Sequence, residues 1–193
     1  MVTEIVSGNG IHNEKNKLKS VLQCKYNLQV TMMTNIKQDT SLKIGDTLPL
    51  VTVPMTGGKG FNRNNYSGQT LVIYFYPKDA TPGCTTEGHD FNQKLDAFNA
   101  ARCQIFGASR DSMRRHDNFK AKQGFNFELI SDEAEVLCHL LDVIRLKKLY
   151  GKEYLGIDRS TFVFNRQGKL IKEWRKVKVK GHVEEVLNFV QNL

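Results

Sequence analysis

The residues best suited to covalent chemistry lie in the segment Pro77–Cys84, which follows an apolar run of the sequence. Thr81 is a favourable N-cap, and Pro82 fits the first helical position because its missing N–H would have no intrahelical partner there. Cys84 is then expected in the first turn of a helix, where unpaired backbone N–H groups and the positive end of the helix dipole favour a thiolate. The spacing therefore predicts an ionised, nucleophilic cysteine.

Ionisation alone would not make this cysteine an efficient catalyst. A thiol with the ordinary pKa of about 8.5 is ionised to a few per cent at neutral pH, so complete ionisation accelerates its reactions by at most roughly thirtyfold. The remaining acceleration must come from groups that position a substrate and stabilise charge in the transition state. The hydroxyl of Thr81 can share a pocket with the Cys84 thiol, and the ring of Pro77 can keep water away from the sulfur.

A charged pair can complete such a site. Glu87 lies one turn after Cys84 on the same helix face, and it is placed to hold an arginine through a bidentate pair. The candidate arginine is Arg159 in "GIDRSTFVF", which would favour the thiolate further and polarise a bound oxygen. The simpler alternatives are a packing role for Cys84, a plain N-cap for Thr81, a solvent-facing Glu87 and a surface charge at Arg159.

The elements around these residues alternate between strand and helix patterns. Strands are predicted at Leu71–Tyr76, in "QIFGAS", in "FNFELI" and in a hairpin that turns at Arg166-Gln167-Gly168, with Gly57, Gly58 and Gly60 forming a turn between short earlier strands. Helices are predicted at 81–100, at 111–123 ending at Gly124, after a Ser131 cap with Val136, Leu137, Leu140 and Leu141, and at Val183–Val190. This order predicts an α/β sandwich of the thioredoxin type, a central mixed sheet flanked by helices.

Composition is that of one globular domain with an extension. The chain has 193 residues, of which 40% are hydrophobic and 25% charged. Residues 1–40 are polar and lack periodicity, so they are predicted to be a poorly ordered extension before a domain at 41–193; a true start at Met32 or Met33 stays open. No secretory signal or membrane-length apolar run is visible, which favours a cytosolic, reducing compartment and four unbridged cysteines.

The formal net charge of +8 raises the question of nucleic-acid binding. The densest basic run, "RKVKVK" at 175–180, alternates with valines, which is typical of a strand or loop with one solvated face. No zinc-ligand spacing, aromatic RNA-binding motif or helix-turn-helix accompanies it. The solvated face is therefore the preferred interpretation.

Several motifs together resemble a known family. Pro77-x-x-x-Thr81-x-x-Cys84 resembles the active-site signature of the peroxiredoxins, and "FYPKDATPGCTTEG", "GASRDS", "GIDRSTF" and "WRKVKVKGH" are similar to the peroxiredoxin Q group, also called bacterioferritin comigratory proteins. The resemblance covers residues 41–193. It implies that Cys84 is the peroxidatic cysteine, that Thr81 hydrogen-bonds the thiolate and the peroxide, that Pro77 shields the site and that Arg159 completes it.

The resemblance also implies a reaction and its requirements. The Cys84 thiolate would attack a hydroperoxide, become a sulfenic acid and be reduced by a thiol, with no metal or organic cofactor. Glu87 and Gly83 would support the catalytic residues. Members of the group are commonly monomers, and a monomer is expected here.

The chain departs from the family at the resolving cysteine. Many members carry one five residues after the peroxidatic cysteine, where this chain has His89, and others carry one 36 residues after it, where this chain has Lys120. Cys103 and Cys138 fall at positions typical of structural cysteines, and Cys24 lies in the extension. We therefore expect no resolving cysteine, and a one-cysteine cycle in which glutathione, glutaredoxin or thioredoxin reduces Cys84.

Three other functions are considered. A disulfide carrier of the thioredoxin type needs a CxxC pair, but Cys84 is followed by "TTEGH". A non-catalytic binding module would act through the basic surface, with nucleic acid as one candidate ligand, and would consume no peroxide. A peroxide sensor shares the cysteine chemistry, and the sequence does not separate it from a scavenger.

Overall fold

A seven-stranded mixed sheet, with strand order β2-β1-β5-β4-β3-β8-β9, lies at the centre of the structure. The structure is a computed structural model that describes residues 41–149 and 151–193, so the predicted extension at 1–40, with Cys24, lies outside the described residues. The strands are β1 (Val53–Met55), β2 (Lys59–Phe61), β3 (Thr70–Phe75), β4 (Cys103–Ser109), β5 (Glu128–Ser131), β6 (Ile144–Leu149), β7 (Lys152–Ile157), β8 (Ser160–Phe164) and β9 (Leu170–Trp174).

Helices cover both faces of this sheet. They are α1 (Pro82–Gln93), α2 (Leu95–Ala100), α3 (Met113–Gln123), α4 (Val136–Leu140) and α5 (His182–Gln191), with a 3-10 turn at Arg63–Tyr66. One apolar cluster joins the sheet to α1, α2, α3 and α5, and a second joins its other face to α4. The predicted mixed sheet flanked by helices is confirmed. No helix in the described ranges is long and apolar enough to cross a membrane.

The pairing of β3 decides where the two halves of the predicted site meet. Every residue of β3 is buried, because the strand pairs in parallel with β4 and antiparallel with β8. Phe75, the last residue of β3, lies opposite Ser160, the first residue of β8. The loop that leaves β3 toward Cys84 therefore begins beside Arg159.

Some predicted element boundaries are wrong. The helix expected at 81–100 is two helices, which meet at Lys94. The helix expected to start at Asp111 starts at Met113 after Ser112, although it does end at Gly124 in the left-handed conformation, as predicted. Leu71–Tyr76 is buried throughout, as expected of a central strand.

Ser131 is not a helix cap. It is the last residue of β5, and its hydroxyl donates to the carbonyl oxygen of Asp111 at 2.7 Å. The helix begins five residues later at Val136, and the carboxylate of Asp132 accepts the N–H of Cys138 at 2.7 Å. A buried carboxylate thus replaces the predicted serine cap.

The β6–β7 hairpin was not predicted. Its strands pair antiparallel with each other, outside the seven-stranded sheet. Lysines interrupt the apolar residues of β6, and Leu146 and Leu155 are exposed, so the segment lacks the pattern of a half-buried strand.

Candidate active site

Cys84 lies at the third position of α1, where the sequence places it. Thr81 precedes the helix in an extended conformation and Pro82 is the first helical residue. The Cys84 side chain is only 2% exposed and packs in the cluster between the sheet and α1. The sulfur therefore lies within the first turn, near backbone N–H groups that have no intrahelical partner.

The Thr81 side chain does not cap the helix, contrary to the prediction from its position. Its hydroxyl donates instead to the carbonyl oxygen of Lys78 at 3.0 Å. This hydrogen bond joins two residues within the loop between β3 and α1. It also leaves the first turn of α1 without an acceptor from Thr81, so the N–H groups there stay available to a bound anion.

Arg159 joins Cys84 to Glu87. Its Nη2 donates to the Cys84 sulfur at 3.2 Å, and its Nη1 donates to Oε2 of Glu87. The guanidinium is a charged donor, and charge-assisted hydrogen bonds are stronger than those between neutral groups. The convergence of these three side chains, from α1 and from the residue before β8, is as predicted.

One detail of the predicted pair is wrong. The pair is not bidentate, because the guanidinium divides its donors between carboxylate and sulfur, and Oε1 of Glu87 has no hydrogen-bond partner. The alternative of a solvent-facing Glu87 is excluded, since its side chain is fully buried. Burial raises the pKa of Glu87 to about 7, with the Arg159 cation opposing the rise.

The charge on Arg159 is secured by its two partners. Burial lowers the pKa of Arg159, but Glu87 and Cys84 raise it by more, so the net shift is upward and the guanidinium stays protonated. Gly83 lies against this group, because an added Cβ would be 3.5 Å from Nη2.

Pro77 lies in the loop between β3 and α1 and is exposed. Its place on the active-site loop agrees with the prediction. Shielding of the sulfur by its ring stays a prediction.

A buried polar cluster beneath this loop was not predicted. The Tyr76 hydroxyl donates to Oδ1 of Asp79 at 2.8 Å, and Nδ1 of His116 lies 2.8 Å from Oδ2 of the same carboxylate. Nε2 of His116 lies 3.1 Å from the carbonyl oxygen of Ile130, which can only accept, so Nε2 carries a proton. The cluster anchors the Pro77–Thr81 loop to α3 and β5. Asp79 lies inside the signature, but its partner is 37 residues away, so spacing does not reveal it.

The two usual resolving positions are occupied by residues that join α1, α3 and β5. Nε2 of His89 lies 3.0 Å from Oε1 of Gln123, and Lys120 forms an ion pair with Glu128. Cys103 and Cys138 are both fully buried. Burial raises the pKa of Cys103 to about 12; burial and then Asp132 raise the pKa of Cys138. Neither thiol has the properties of a ready nucleophile.

No group of three or more His, Cys, Asp or Glu side chains in residues 41–149 and 151–193 is arranged to hold a metal ion. A thioredoxin-type sheet with a cysteine at a helix N-terminus and an arginine on its sulfur defines a cysteine-dependent oxidoreductase. Similar proteins of known family show which cysteine-dependent oxidoreductases this chain resembles.

The AhpC/TSA family matches residues 44–173. The chain is 55% identical over 133 residues to Peroxiredoxin Bcp of Xanthomonas campestris pv. campestris, which covers 69% of this chain and 83% of the relative. It is 44% identical over 153 residues to Peroxiredoxin Bcp of Bacillus subtilis, covering 79% of this chain and 98% of the relative.

Solved structures agree with the relatives. The Xanthomonas campestris bacterioferritin comigratory protein matches with a TM-score of 0.71 and 49% identity, over 76% of this chain and 98% of that one. A mutant of PrxQ from Xylella fastidiosa matches with a TM-score of 0.75 and 44% identity, over 78% and 96%. The chain belongs to the AhpC/TSA family and, within it, to the peroxiredoxin Q or Bcp group of thiol-dependent peroxidases.

Proposed function

We propose that Cys84 is the peroxidatic cysteine of this enzyme and that it reduces hydrogen peroxide and organic hydroperoxides. The observation that carries the proposal is the guanidinium of Arg159, held by the buried Glu87 carboxylate and donating to the Cys84 sulfur. The similar bacterioferritin comigratory protein of Xanthomonas campestris has alkyl peroxide reduction activity, which supports organic hydroperoxides as substrates here.

The reaction follows from this geometry. The thiolate attacks one peroxide oxygen in line, so an S–O bond forms as the O–O bond breaks, and the other oxygen takes a proton and leaves as water or an alcohol. Arg159 and the first-turn N–H groups stabilise the charge that develops on the oxygens. Thr81 donates to the Lys78 carbonyl in the present state, so its hydroxyl accepts from the peroxide or rotates to donate. Pro77 limits the access of water.

The cycle is then completed by an external thiol. The sulfenic acid on Cys84 needs a second thiol, and the described cysteines Cys103 and Cys138 are buried with raised pKa values. We assign this role to glutathione, glutaredoxin or thioredoxin, acting on a monomeric enzyme in a reducing, cytosolic compartment. The role is antioxidant defence, while a peroxide sensor would share the same chemistry. A non-catalytic binding module is disfavoured by the family.

The test is peroxide consumption with dithiothreitol, then with glutathione, glutaredoxin or thioredoxin as the reductant. Cys84→Ser should be inactive, and Arg159→Ala should lose about 10²–10³-fold in kcat/KM because one charge-stabilising donor is removed. Arg166→Ala, at the exposed turn of the β8–β9 hairpin, is the matched control and should keep full activity.

The one-cysteine cycle has its own test. Cys103→Ser and Cys138→Ser should keep turnover with every reductant. Mass spectrometry after one equivalent of peroxide should find a sulfenic acid, or its adduct with added thiol, at Cys84. An intramolecular disulfide as the main product would refute the cycle, as would a thioredoxin-linked activity that Cys103→Ser or Cys138→Ser abolishes.

A further inference from the structure

A basic cavity opens between β9 and α5. It has a volume of about 340 Å³ and is lined by residues 175–178, 180 and 181 of the connecting loop together with Trp174, His182 and Glu185. Three lysines of this loop, Lys176, Lys178 and Lys180, line it and are exposed. We call this site the basic cavity.

The basic cavity adjoins the active site through Arg159. The N–H of Val177, in the cavity wall, donates to the carbonyl oxygen of Arg159 at 2.9 Å, while the Arg159 guanidinium contacts the Cys84 sulfur. Another lining residue, His182, has its Nε2 2.8 Å from the hydroxyl of Thr161, two residues after Arg159. Arg159 thus contacts the cavity wall through its backbone carbonyl and the Cys84 sulfur through its guanidinium.

The lysines of the cavity are available to a ligand. Among residues 41–149 and 151–193, none of the three forms an ion pair or a side-chain hydrogen bond, whereas Arg175 is held by the Leu141 and Asp142 carbonyls and by Glu173. The one carboxylate in the wall, Glu185, accepts the indole N–H of Trp174 at 2.7 Å.

The histidine in the wall adds no positive charge. Burial lowers the pKa of His182 to about 4, with Glu185 opposing and the Arg159 charge lowering it further, so the ring is neutral at pH 7. The cavity thus holds three unpaired lysines against one carboxylate, Glu185, which already accepts the Trp174 indole N–H, and this excess of positive charge suits a small molecule with carboxylates.

We propose that the basic cavity binds the carboxylates of the small peptide thiol that reduces oxidised Cys84. The proposal rests on the proposed peroxidase function and names the class of its reductant. A volume of about 340 Å³ is at the lower end of the range for small-molecule sites, and a tripeptide in extended form spans about 10 Å. The charged wall does not suit the acyl chain of a lipid hydroperoxide.

Reduction of the Cys84 sulfenic acid by a thiol bound in the basic cavity takes two chemical steps. The bound thiolate attacks the sulfur of the Cys84 sulfenic acid, an S–S bond forms, and the hydroxyl leaves as water with a proton. A second thiol attacks the mixed disulfide, which releases the Cys84 thiolate and a disulfide of the reductant. Two thiols supply the two electrons that the peroxide removed.

Binding is measured without turnover. Trp174 is the only tryptophan of the chain and lies in the cavity wall, so its fluorescence reports occupancy. S-methylglutathione, which keeps the carboxylates but cannot react, should quench or shift this signal saturably. Replacing Lys176, Lys178 and Lys180 by Gln should weaken its binding about tenfold, the size expected when its two carboxylates lose exposed ion pairs of about 0.7 kcal/mol each. Replacing Lys59, Lys122 and Lys169 by Gln removes the same charge elsewhere and should change nothing.

Kinetic measurements then distinguish a role of the basic cavity in reduction from a role in peroxide binding. In the variant with Lys176→Gln, Lys178→Gln and Lys180→Gln, the rate constant for glutathione reacting with oxidised enzyme should fall about tenfold. The rate constant for neutral 2-mercaptoethanol should change less than about twofold. In the wild type, added salt should lower the rate constant for glutathione but not that for 2-mercaptoethanol, because salt screens the lysine charges. Rates of Cys84 oxidation by hydrogen peroxide and by a carboxylate-bearing hydroperoxide should be the same in both proteins.

Each other outcome overturns the proposal. A selective loss with the carboxylate-bearing hydroperoxide would assign the basic cavity to the oxidising substrate. A selective loss with a thioredoxin, but not with glutathione, would assign it to a protein reductant. Equal losses for glutathione and 2-mercaptoethanol, or no loss, would leave it without a role in reduction. If dithiothreitol supports no peroxide turnover at all, the proposed function itself fails, whatever S-methylglutathione binding shows.

Discussion

Arg159 is shared between two groups that differ in burial and in chemistry. Glu87 is fully buried beneath it, and the Cys84 sulfur lies on the side from which a peroxide must arrive. A buried carboxylate with a single cationic partner is costly to ionise, which is the reason for its raised pKa. We infer that the protein accepts this cost because the pair fixes the guanidinium beside the sulfur.

The raised pKa of Glu87 predicts a pH-dependent stability. Its pKa is about 7 in the folded state against 4.5 for the ordinary group, so the folded protein binds the proton more tightly. The free energy of unfolding should therefore fall as the pH rises from about 4.5 to about 7, by on the order of 3 kcal/mol from this group. Glu87→Gln should lack this component.

Urea unfolding at pH 5, 6, 7 and 8 measures the difference between wild type and Glu87→Gln. The free energy of unfolding of the wild type should fall relative to that of Glu87→Gln as the pH rises through this window. Above the window the difference should stay constant. Glu153→Gln, in the exposed part of β7, is the control and should track the wild type at every pH. A pH-independent difference for Glu87→Gln would contradict the assignment.

At the scale of elements, α1 is packed against the segment that follows α3. Gly88 of α1 is buried, and an added Cβ would overlap the Phe125 ring, with Cε2 at 2.9 Å. Nearby, the side-chain oxygen of Asn92 accepts the N–H of Asn126 at 2.8 Å. These contacts determine how closely the helix that carries Cys84 can approach its neighbour.

Gly88→Ala should therefore destabilise the protein by about 1–3 kcal/mol through overpacking, despite the better helix propensity of alanine. Chemical denaturation measures the change. Phe125→Leu should relieve part of it in the double variant, since the clash is with the ring. Thr86→Ala, at an exposed position of α1, is the control and should stay within about 0.5 kcal/mol of the wild type. An unchanged stability of Gly88→Ala would show that Phe125 moves freely.

The buried Tyr76–Asp79–His116 cluster fixes the loop between β3 and α1. Removing the imidazole in His116→Ala leaves a buried carboxylate and a cavity, which should cost about 3 kcal/mol or more. The kcat/KM for peroxide should also fall, because Asp79 lies on the loop that carries Thr81.

His139→Ala is the comparison for that variant. The His139 side chain is exposed and pairs with Glu135 at 3.2 Å, so its loss should change stability by less than about 0.5 kcal/mol and leave activity intact. If His116→Ala loses stability but retains full kcat/KM in the folded protein, the cluster supports the fold and not the loop geometry.

At the scale of the whole molecule, the sheet separates the described cysteines. Cys84 and Cys103 lie in the cluster that packs against α1 and α5, and Cys138 lies in the cluster on the other face. All three are buried, but only Cys84 contacts a cation. The position in the tertiary structure, and not burial itself, therefore distinguishes Cys84 from the other two thiols.

Excess hydrogen peroxide without a reductant should oxidise Cys84 to the sulfinic or sulfonic acid and spare Cys103 and Cys138, whose pKa values are raised by burial. Mass spectrometry of peptides locates the added oxygens. In guanidinium chloride the three thiols should react at similar rates. Oxidation of Cys103 or Cys138 as fast as Cys84 in the native protein would contradict the assignment.

The parts of the fold that the sequence predicts are those with strong local signals. Leu71–Tyr76 is buried throughout and α5 buries the predicted Val183, Val186, Leu187 and Val190. Errors occur where a distant contact or a weak local pattern decides the outcome: the Ser131 hydroxyl bonds the Asp111 carbonyl instead of capping a helix, and the β6–β7 hairpin forms without an amphipathic pattern. Periodicity reports burial of one face, so it does not detect elements stabilised mainly by pairing with each other.

The sequence by itself determined that Cys84 lies in the first helical turn after Thr81 and Pro82, because a proline at the first helical position acts locally, although the predicted Thr81 cap bond does not form. It also identified Arg159 and Glu87 as the charged candidates. Only the tertiary structure decided that Glu87 is buried, that Arg159 divides its donors between carboxylate and sulfur, and that His116 supports the loop. Arg159 and Cys84 are 75 positions apart in the chain, and only the pairing of β3 with β8 brings them into contact.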